Sequence, residues 1–141
     1  MFLGTRGYGR PLLVAALAVA SYTTIPAQAQ TLQDGWASTV HRSKPTIVYQ
    51  ADDVDLDCTT LDIPNVQVTV PPKHGKVSIV RAKVHPHFKA PNRRAKCDSR
   101  WVEGINVYYT ADSGYRGADK LVVLNHAAAG VSETTITVTV R

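Results

Sequence analysis

The 141-residue sequence has few of the features that identify enzymes. Only two cysteines, one methionine and 7% aromatic residues are present, and glutamate occurs only at positions 103 and 133. The sequence lacks a Gly-x-Ser-x-Gly motif, a His-Glu-x-x-His motif and a phosphate-binding loop. The length fits one domain rather than a multidomain enzyme. We therefore expect a protein that is not an enzyme.

Long hydrophobic runs are also absent. The longest, residues 11–20, is shorter than the roughly 20 apolar residues that cross a bilayer. Arg6 and Arg10 precede this run, and Ala-Gln-Ala at residues 27–29 follows it. A basic start, an apolar centre and a small-residue cleavage pattern are typical of a secretory signal peptide. We predict a signal peptide over residues 1–29, a secreted or periplasmic protein, and no transmembrane span after cleavage.

The two cysteines, Cys58 and Cys97, would meet an oxidising compartment after export. One disulfide is the expected pairing, and it would join two segments of opposite charge. The alternative is a metal or redox pair, although neither cysteine lies in a Cys-x-x-Cys motif.

The charges are unevenly distributed along the chain. Residues 73–100 contain nine lysines and arginines against one acid, Asp98, whereas residues 52–62 contain five aspartates and no basic residue. After loss of the signal peptide the net charge is small, and no specific nucleic-acid signature remains. The basic segment suggests an anionic partner.

Alternating apolar residues predict strands rather than helices. We expect strands at 46–51, 65–70, 76–84, 101–109, 121–124 and 132–141. Within 76–84 the apolar phase shifts by one residue, which predicts a β-bulge. Residues 30–44 are polar and are interpreted as a loose lead-in to a domain at 45–141. These segments predict an all-β antiparallel sandwich of six or seven strands.

Three runs, at residues 71–77 (PPKHGKV), 107–123 (VYYTADSGYRGADKLVV) and 134–140, resemble the bacterial immunoglobulin-like and cadherin-like repeats. The resemblance covers residues 64–140 and implies an Ig-like sandwich. It is most specific at Gly114, Tyr115, Gly117 and Asp119. There Gly117 permits a tight bend, Asp119 can cap turn amides, and Tyr115 can pack over the sandwich end. These are structural roles, so the resemblance indicates architecture better than function.

The basic loop at residues 85–100 is the first candidate site. A patch there could bind an anionic envelope polymer or an acidic protein, with aromatic stacking beside it. The candidate residues are Lys89, Arg93, Arg94, Lys96, Arg100 and Trp101. The alternative is a solvated loop that keeps the protein soluble.

Two further candidates are cation sites. His85 and His87 form a His-x-His pair that could bind Zn²⁺ or Cu²⁺, with His74 or His126 assisting. The aspartates of residues 52–57 could collect Ca²⁺, as in some cadherin-like repeats. The alternatives are exposed loop histidines and the solvent face of an edge strand, so no cofactor is required.

The first functional hypothesis is an exported, non-enzymatic Ig-like module that contacts an anionic envelope component through the basic loop. The second is a periplasmic metal-binding protein that uses His85 and His87. The third is a small β-sandwich hydrolase, which would need a deep pocket with paired carboxylates.

Overall fold

The structure, a computed structural model, describes residues 33–141, which form seven strands and one short 3₁₀ segment. The signal peptide expected over residues 1–29 lies outside the described residues. All six predicted strands are present, because their valines, isoleucines and threonines alternate between a buried and an exposed side. The elements are β1 Gln33–Val40, β2 Thr46–Asp52, β3 Asn65–Val70, β4 Gly75–Val84, the 3₁₀ segment Arg93–Ser99, β5 Val102–Ala111, β6 Gly117–Ala127 and β7 Gly130–Val140.

The strands form two sheets that pack as a sandwich, which confirms the all-β fold class. One sheet has the order β1-β7-β6-β3 and the other β2-β5-β4. The neighbouring strands are antiparallel except β1 and β7, which run parallel with Trp36 opposite Ile136. The antiparallel prediction therefore holds for every strand pair but one.

The main core lies between the two sheets. On β7 the inward residues Ile136, Val138 and Val140 are buried, while Thr137 and Thr139 between them are exposed. Facing side chains from the other strands complete this cluster, and their removal from water supplies the main stabilisation of the sandwich. They include Val40, Val48, Tyr49, Val107, Tyr109, Leu121 and Val123.

Strand β1 corrects the prediction of a loose lead-in over residues 30–44. It pairs along its whole length with β7, although Val40 is its only buried residue among those whose side chains are described. Its pairing therefore depends mainly on backbone hydrogen bonds to an available sheet edge. Hydrophobic periodicity does not report such bonds, which is why the prediction was wrong.

Strand β4 corrects the predicted bulge. It pairs with β5 without interruption from Gly75 to Val84, and the register shifts occur in β2 and β3 instead. The apolar residues of β4 change from one face of the strand to the other because different faces are buried at its two ends. Val77 packs on the core between the sheets, whereas Val84 packs in a second cluster. These two residues lie an odd number of positions apart, so they point to opposite faces of one regular strand.

The second cluster is small and lies under the basic loop. It consists of Val54, Val84, Cys97 and Val102, with Phe88 packed against it. It covers one end of the β2-β5-β4 sheet on the face away from the main core, and it gives the loop an apolar base.

Candidate functional site

The two ends of the sandwich have different chemistry. At one end the turn at Asp112–Tyr115 and the start of β6 lie beside His74, and we call this the tyrosine end. At the other, the end of β2, the basic loop and the β6–β7 turn meet, and we call this the disulfide end. β2 and β6 run from the first end to the second, and β5 runs back.

A disulfide between Cys58 and Cys97 fastens the basic loop, with the Cα atoms 5.3 Å apart. This confirms the expected pairing. Cys97 is fully buried in the second cluster. The acidic segment and the basic loop are thus joined at a fixed point.

The 3₁₀ segment Arg93–Ser99 is held by side-chain capping. The Asn92 side chain accepts a hydrogen bond from the Arg94 amide at 2.8 Å, and Asp98 accepts one from the Phe88 amide at 3.0 Å. Asp98, the only acid in the predicted basic run, is therefore bonded to backbone. The segment turns its buried residue, Cys97, inward and leaves Arg93 and Lys96 exposed.

Four of the predicted anion-binding residues are exposed and lie close together in the sequence. We call Lys89, Arg93, Lys96 and Arg100 the basic patch. Among residues 35–141, whose side chains the structure describes, the only salt bridge joins Arg81 to Glu103 at 3.5 Å, so no carboxylate of these residues lies within ion-pair distance of the patch cations. Trp101 is 64% exposed, and its ring lies against that of His85, with 3.7 Å between the centroids.

Arg94 departs from the rest of that set. Its guanidinium lies 5.9 Å from the centre of the Phe88 ring, and the side chain is half-buried. Its Nε atom is enclosed and has no hydrogen-bond partner among the described residues. Arg94 therefore faces inward, away from the role predicted for it.

The His-x-His pair is engaged in local contacts. The Nδ1–H of His87 is within hydrogen-bond distance, 2.6 Å, of the His85 carbonyl oxygen, and the His85 ring contacts Trp101. His74 stacks on Tyr115 and His126 is on β6. Within the described part of the chain there is no group of three or more His, Cys, Asp or Glu residues placed to hold a metal ion. The structure thus gives the pair no third ligand of these types.

Two of the four carboxylates at residues 52–57 bind backbone amides. Asp55 accepts from the amides of Asp57 and Thr59 at 2.8 and 2.9 Å, which closes a turn around Cys58. Asp53 is buried and accepts from the Ala128 amide at 2.6 Å. These contacts give the run a structural role in the positions proposed for Ca²⁺ ligands.

Asp52 differs from Asp53 and Asp55. Its Oδ2 atom is enclosed and without a hydrogen-bond partner in the described chain. Burial raises its pKa; nearby His87 opposes the shift, and Asp53 and Asp98 add to it. Asp52 therefore has one carboxylate oxygen to which no described residue donates a hydrogen bond.

Asp52 lines a cleft of about 300 Å³ at the disulfide end. Arg94 and Asn125 line the same cleft, and each of the three contributes an enclosed polar atom without a partner. The walls come from the β6–β7 turn and from Phe88. Asn125 was not predicted as a site residue, although an amide directly after the apolar run 121–124 was a usable signal.

At the tyrosine end the polar groups are paired. Asp119 is buried and accepts from the amides of Lys73, His74 and Lys120 at 2.8–3.0 Å. The Tyr109 hydroxyl lies 3.0 Å from both Asp119 Oδ2 and the His74 carbonyl oxygen. Burial acts to raise the pKa of Asp119, but these hydrogen bonds outweigh it and lower the pKa. For Tyr109, burial and the bond to Asp119 raise the pKa.

The predicted turn residues lie around this network. Gly114 and Gly117 have φ values of 80° and 129°, in the region that favours glycine. The Tyr115 ring stacks on His74 with 4.0 Å between centroids, and its hydroxyl donates to the Ala118 carbonyl. Asp119 caps amides mainly of the β3–β4 turn, a partner that sequence analysis did not identify.

No protein-family model matches the chain, and the curated proteins and the solved structures contain no match to it. Among residues 33–141 there is no helix long and apolar enough to cross a membrane.

Proposed function

We propose that this chain is an exported, non-enzymatic immunoglobulin-like module that binds an anionic polymer of the cell envelope through the basic patch. The observation that carries the proposal is the patch itself: four exposed cations within residues 89–100, without an ion-pair partner among the residues whose side chains are described. Such a cluster concentrates positive potential and attracts polyanions.

The anchoring of the segment supports a binding role. The disulfide at Cys97, the Asn92 cap and the Asp98 bond fix the backbone that carries the cations. A fixed backbone loses less conformational freedom on binding than a mobile loop does. The exposed Trp101 ring beside the segment adds a surface for stacking.

The strand order supports the immunoglobulin-like part of the proposal. In Ig constant-type sandwiches, strands 2, 5 and 4 share one sheet and strands 3, 6 and 7 share the other. The same division is present here, with β1 placed beside β7 instead of β2. The metal-binding alternative has less support, because its two histidines have no third His, Cys, Asp or Glu ligand in the described residues.

The test compares two triple charge reversals at opposite ends of the sandwich. One variant reverses three of the four patch charges, with Arg93→Glu, Lys96→Glu and Arg100→Glu. The control variant makes the same change in net charge at exposed residues of the tyrosine end, with Lys73→Glu, Arg116→Glu and Lys120→Glu. Binding of purified protein to fluorescent heparin, a soluble polyanion, is measured at several salt concentrations.

We expect the patch variant to bind at least about tenfold more weakly, with the salt dependence of log K reduced by about two to three. The control should keep most of the affinity and slope. Equal losses in both variants would mean that only net charge matters, and the patch proposal would then be wrong.

A further inference from the structure

Three polar atoms on residues that line the cleft at the disulfide end are enclosed by the fold and have no hydrogen-bond partner among the described residues. They are Asp52 Oδ2, Asn125 Oδ1 and Arg94 Nε. We propose that this cleft binds a small zwitterion in which an ammonium group and a carboxylate are close together, as in a free amino acid. The ammonium group meets Asp52 and Asn125, and the carboxylate meets Arg94.

The state of these atoms calls for an occupant. Buried polar groups in folded proteins are almost always hydrogen-bonded, since a group that loses water without gaining a partner destabilises the fold. Here three such groups come from three separate elements: the end of β2, the 3₁₀ segment and the end of β6. Their convergence on one cavity is the arrangement expected of a binding site.

The hydrogen-bonding pattern of the site defines the ligand. The two oxygens accept, and the Arg94 Nε–H donates. The ligand must therefore donate at least twice and accept at least once within a short distance. An ammonium group has three N–H donors, and a carboxylate is the preferred acceptor for a guanidinium.

The charges favour an ammonium group over a neutral hydroxyl as the donor. Burial of Asp52 raises its pKa most; His87 opposes this shift, and Asp53 and Asp98 add negative potential around the carboxylate. A cation beside Asp52 offsets that potential, whereas a sugar hydroxyl supplies hydrogen bonds without charge. Arg94 is held on Phe88 and balances the ligand carboxylate.

The size and walls of the cleft fit a small ligand. Its volume of about 300 Å³ lies at the lower end of the range for small-molecule sites. Ala127, Ala129 and Val131 give it an apolar wall that suits a short aliphatic side chain. The three polar residues differ from the four of the basic patch, so heparin binding and zwitterion binding can fail separately.

The test is a titration of the purified protein, followed by amide NMR shifts, with four probes. L-Alanine carries both charges, N-acetylalanine lacks the ammonium group, alaninamide lacks the carboxylate, and methyl glucoside offers only hydroxyls. We expect alanine to shift the amides of Arg94, Asn125 and residues 127–132, and each of the other probes to bind at least about tenfold more weakly.

Two variants test the assigned residues. Asp52→Asn and Arg94→Gln should each weaken alanine binding by about tenfold or more, while Asp112→Asn, an exposed aspartate at the tyrosine end, should leave it unchanged. The amide spectrum of each variant verifies that it folds, and Asp52→Asn is close enough in shape to remain informative if Arg94→Gln does not fold.

Three outcomes would overturn the proposal. Absence of alanine-dependent shifts would mean that water alone satisfies the three atoms. Equal or tighter binding of methyl glucoside would assign the cleft to a hydroxyl-rich ligand. Undiminished alanine binding by a folded Asp52→Asn variant would show that Asp52 is not the partner of the ammonium group.

Discussion

Asp119 is buried and Asp52 is half-buried, at opposite ends of the same sandwich, and their pKa values move in opposite directions. Asp119 accepts from three amides and the Tyr109 hydroxyl, and these bonds lower its pKa. Asp52 has an enclosed oxygen with no partner in the described chain, and burial raises its pKa. The first carboxylate is solvated by the protein, whereas the second has lost water without replacement.

This difference separates a structural site from a candidate binding site. At the tyrosine end the groups around Asp119 satisfy one another, so they need no ligand. At the disulfide end the covalent link and the second cluster hold the loop in place, while the polar groups of the cleft remain unpaired. The stability of that end therefore comes from sources other than its polar side chains.

Removing the disulfide should have the largest effect and should act on one end. In the double variant Cys58→Ser, Cys97→Ser the link closing a 39-residue separation is lost, which lowers the free energy of unfolding by about 3–4 kcal/mol on the chain-entropy model. Urea denaturation measures this loss. Hydrogen exchange should show faster opening of Val84 and Val102, with the amides of Lys73 and His74 less affected at low urea. A uniform increase in exchange would contradict the separation of the two ends.

Asp119→Asn should have the next largest effect. Asparagine has an NH₂ group in place of one of the two accepting oxygens, so some of the hydrogen bonds that Asp119 accepts are lost. The free energy of unfolding at pH 7 should therefore fall by about 2–3 kcal/mol. Because folding lowers the pKa of Asp119, its stabilisation is present above the pKa of the unfolded chain and is lost as the pH falls through the folded pKa. The variant and the wild type should therefore converge in acid.

Urea denaturation at a series of pH values measures this convergence, with the exposed Asp112→Asn as the matched control. A deficit of Asp119→Asn that stays constant from pH 7 into acid would assign the loss to packing instead of to charge-assisted hydrogen bonds.

The strands could be predicted from the sequence because their information is local. In β7 the alternation of Ile136, Val138 and Val140 with threonines specifies a buried face without reference to any partner. β1 could not be predicted in this way, because its partner is an edge of β7 about 100 residues away. The change of covered face along β4 was also hidden, since it depends on the loop that packs under Val84.

The same limit applied to the sites. A turn at residues 114–119 was predictable from its glycines, but the amides that Asp119 binds come from Lys73 and His74, 45 or more residues earlier. The cleft was harder still to predict from the sequence. Arg94 was predicted only as a cation of the basic loop, and the position of Asn125 after the apolar run does not identify its neighbours. Their relation to Asp52 exists only after the loop, the end of β2 and the β6–β7 turn have come together.

Asp52→Asn should have the smallest effect on the free energy of unfolding, and this effect should be opposite in sign to that of Asp119→Asn. Because folding raises the pKa of Asp52, the folded state favours the neutral carboxyl. Its contribution to stability is fully present below the pKa of the unfolded chain, about 4, and is lost as the pH rises through the folded pKa. Asparagine is neutral at every pH, so the variant should be more stable than the wild type by about 1 kcal/mol at pH 7, with little difference in acid.

Urea denaturation in buffer free of amino acids measures both values. If Asp52→Asn lowers the stability at pH 7, then the carboxylate has a partner in solution and the contrast between the two ends fails. If it raises the stability while alanine binding is lost, then the unpaired charge of Asp52 both lowers the stability of the wild type and binds the ammonium group of alanine.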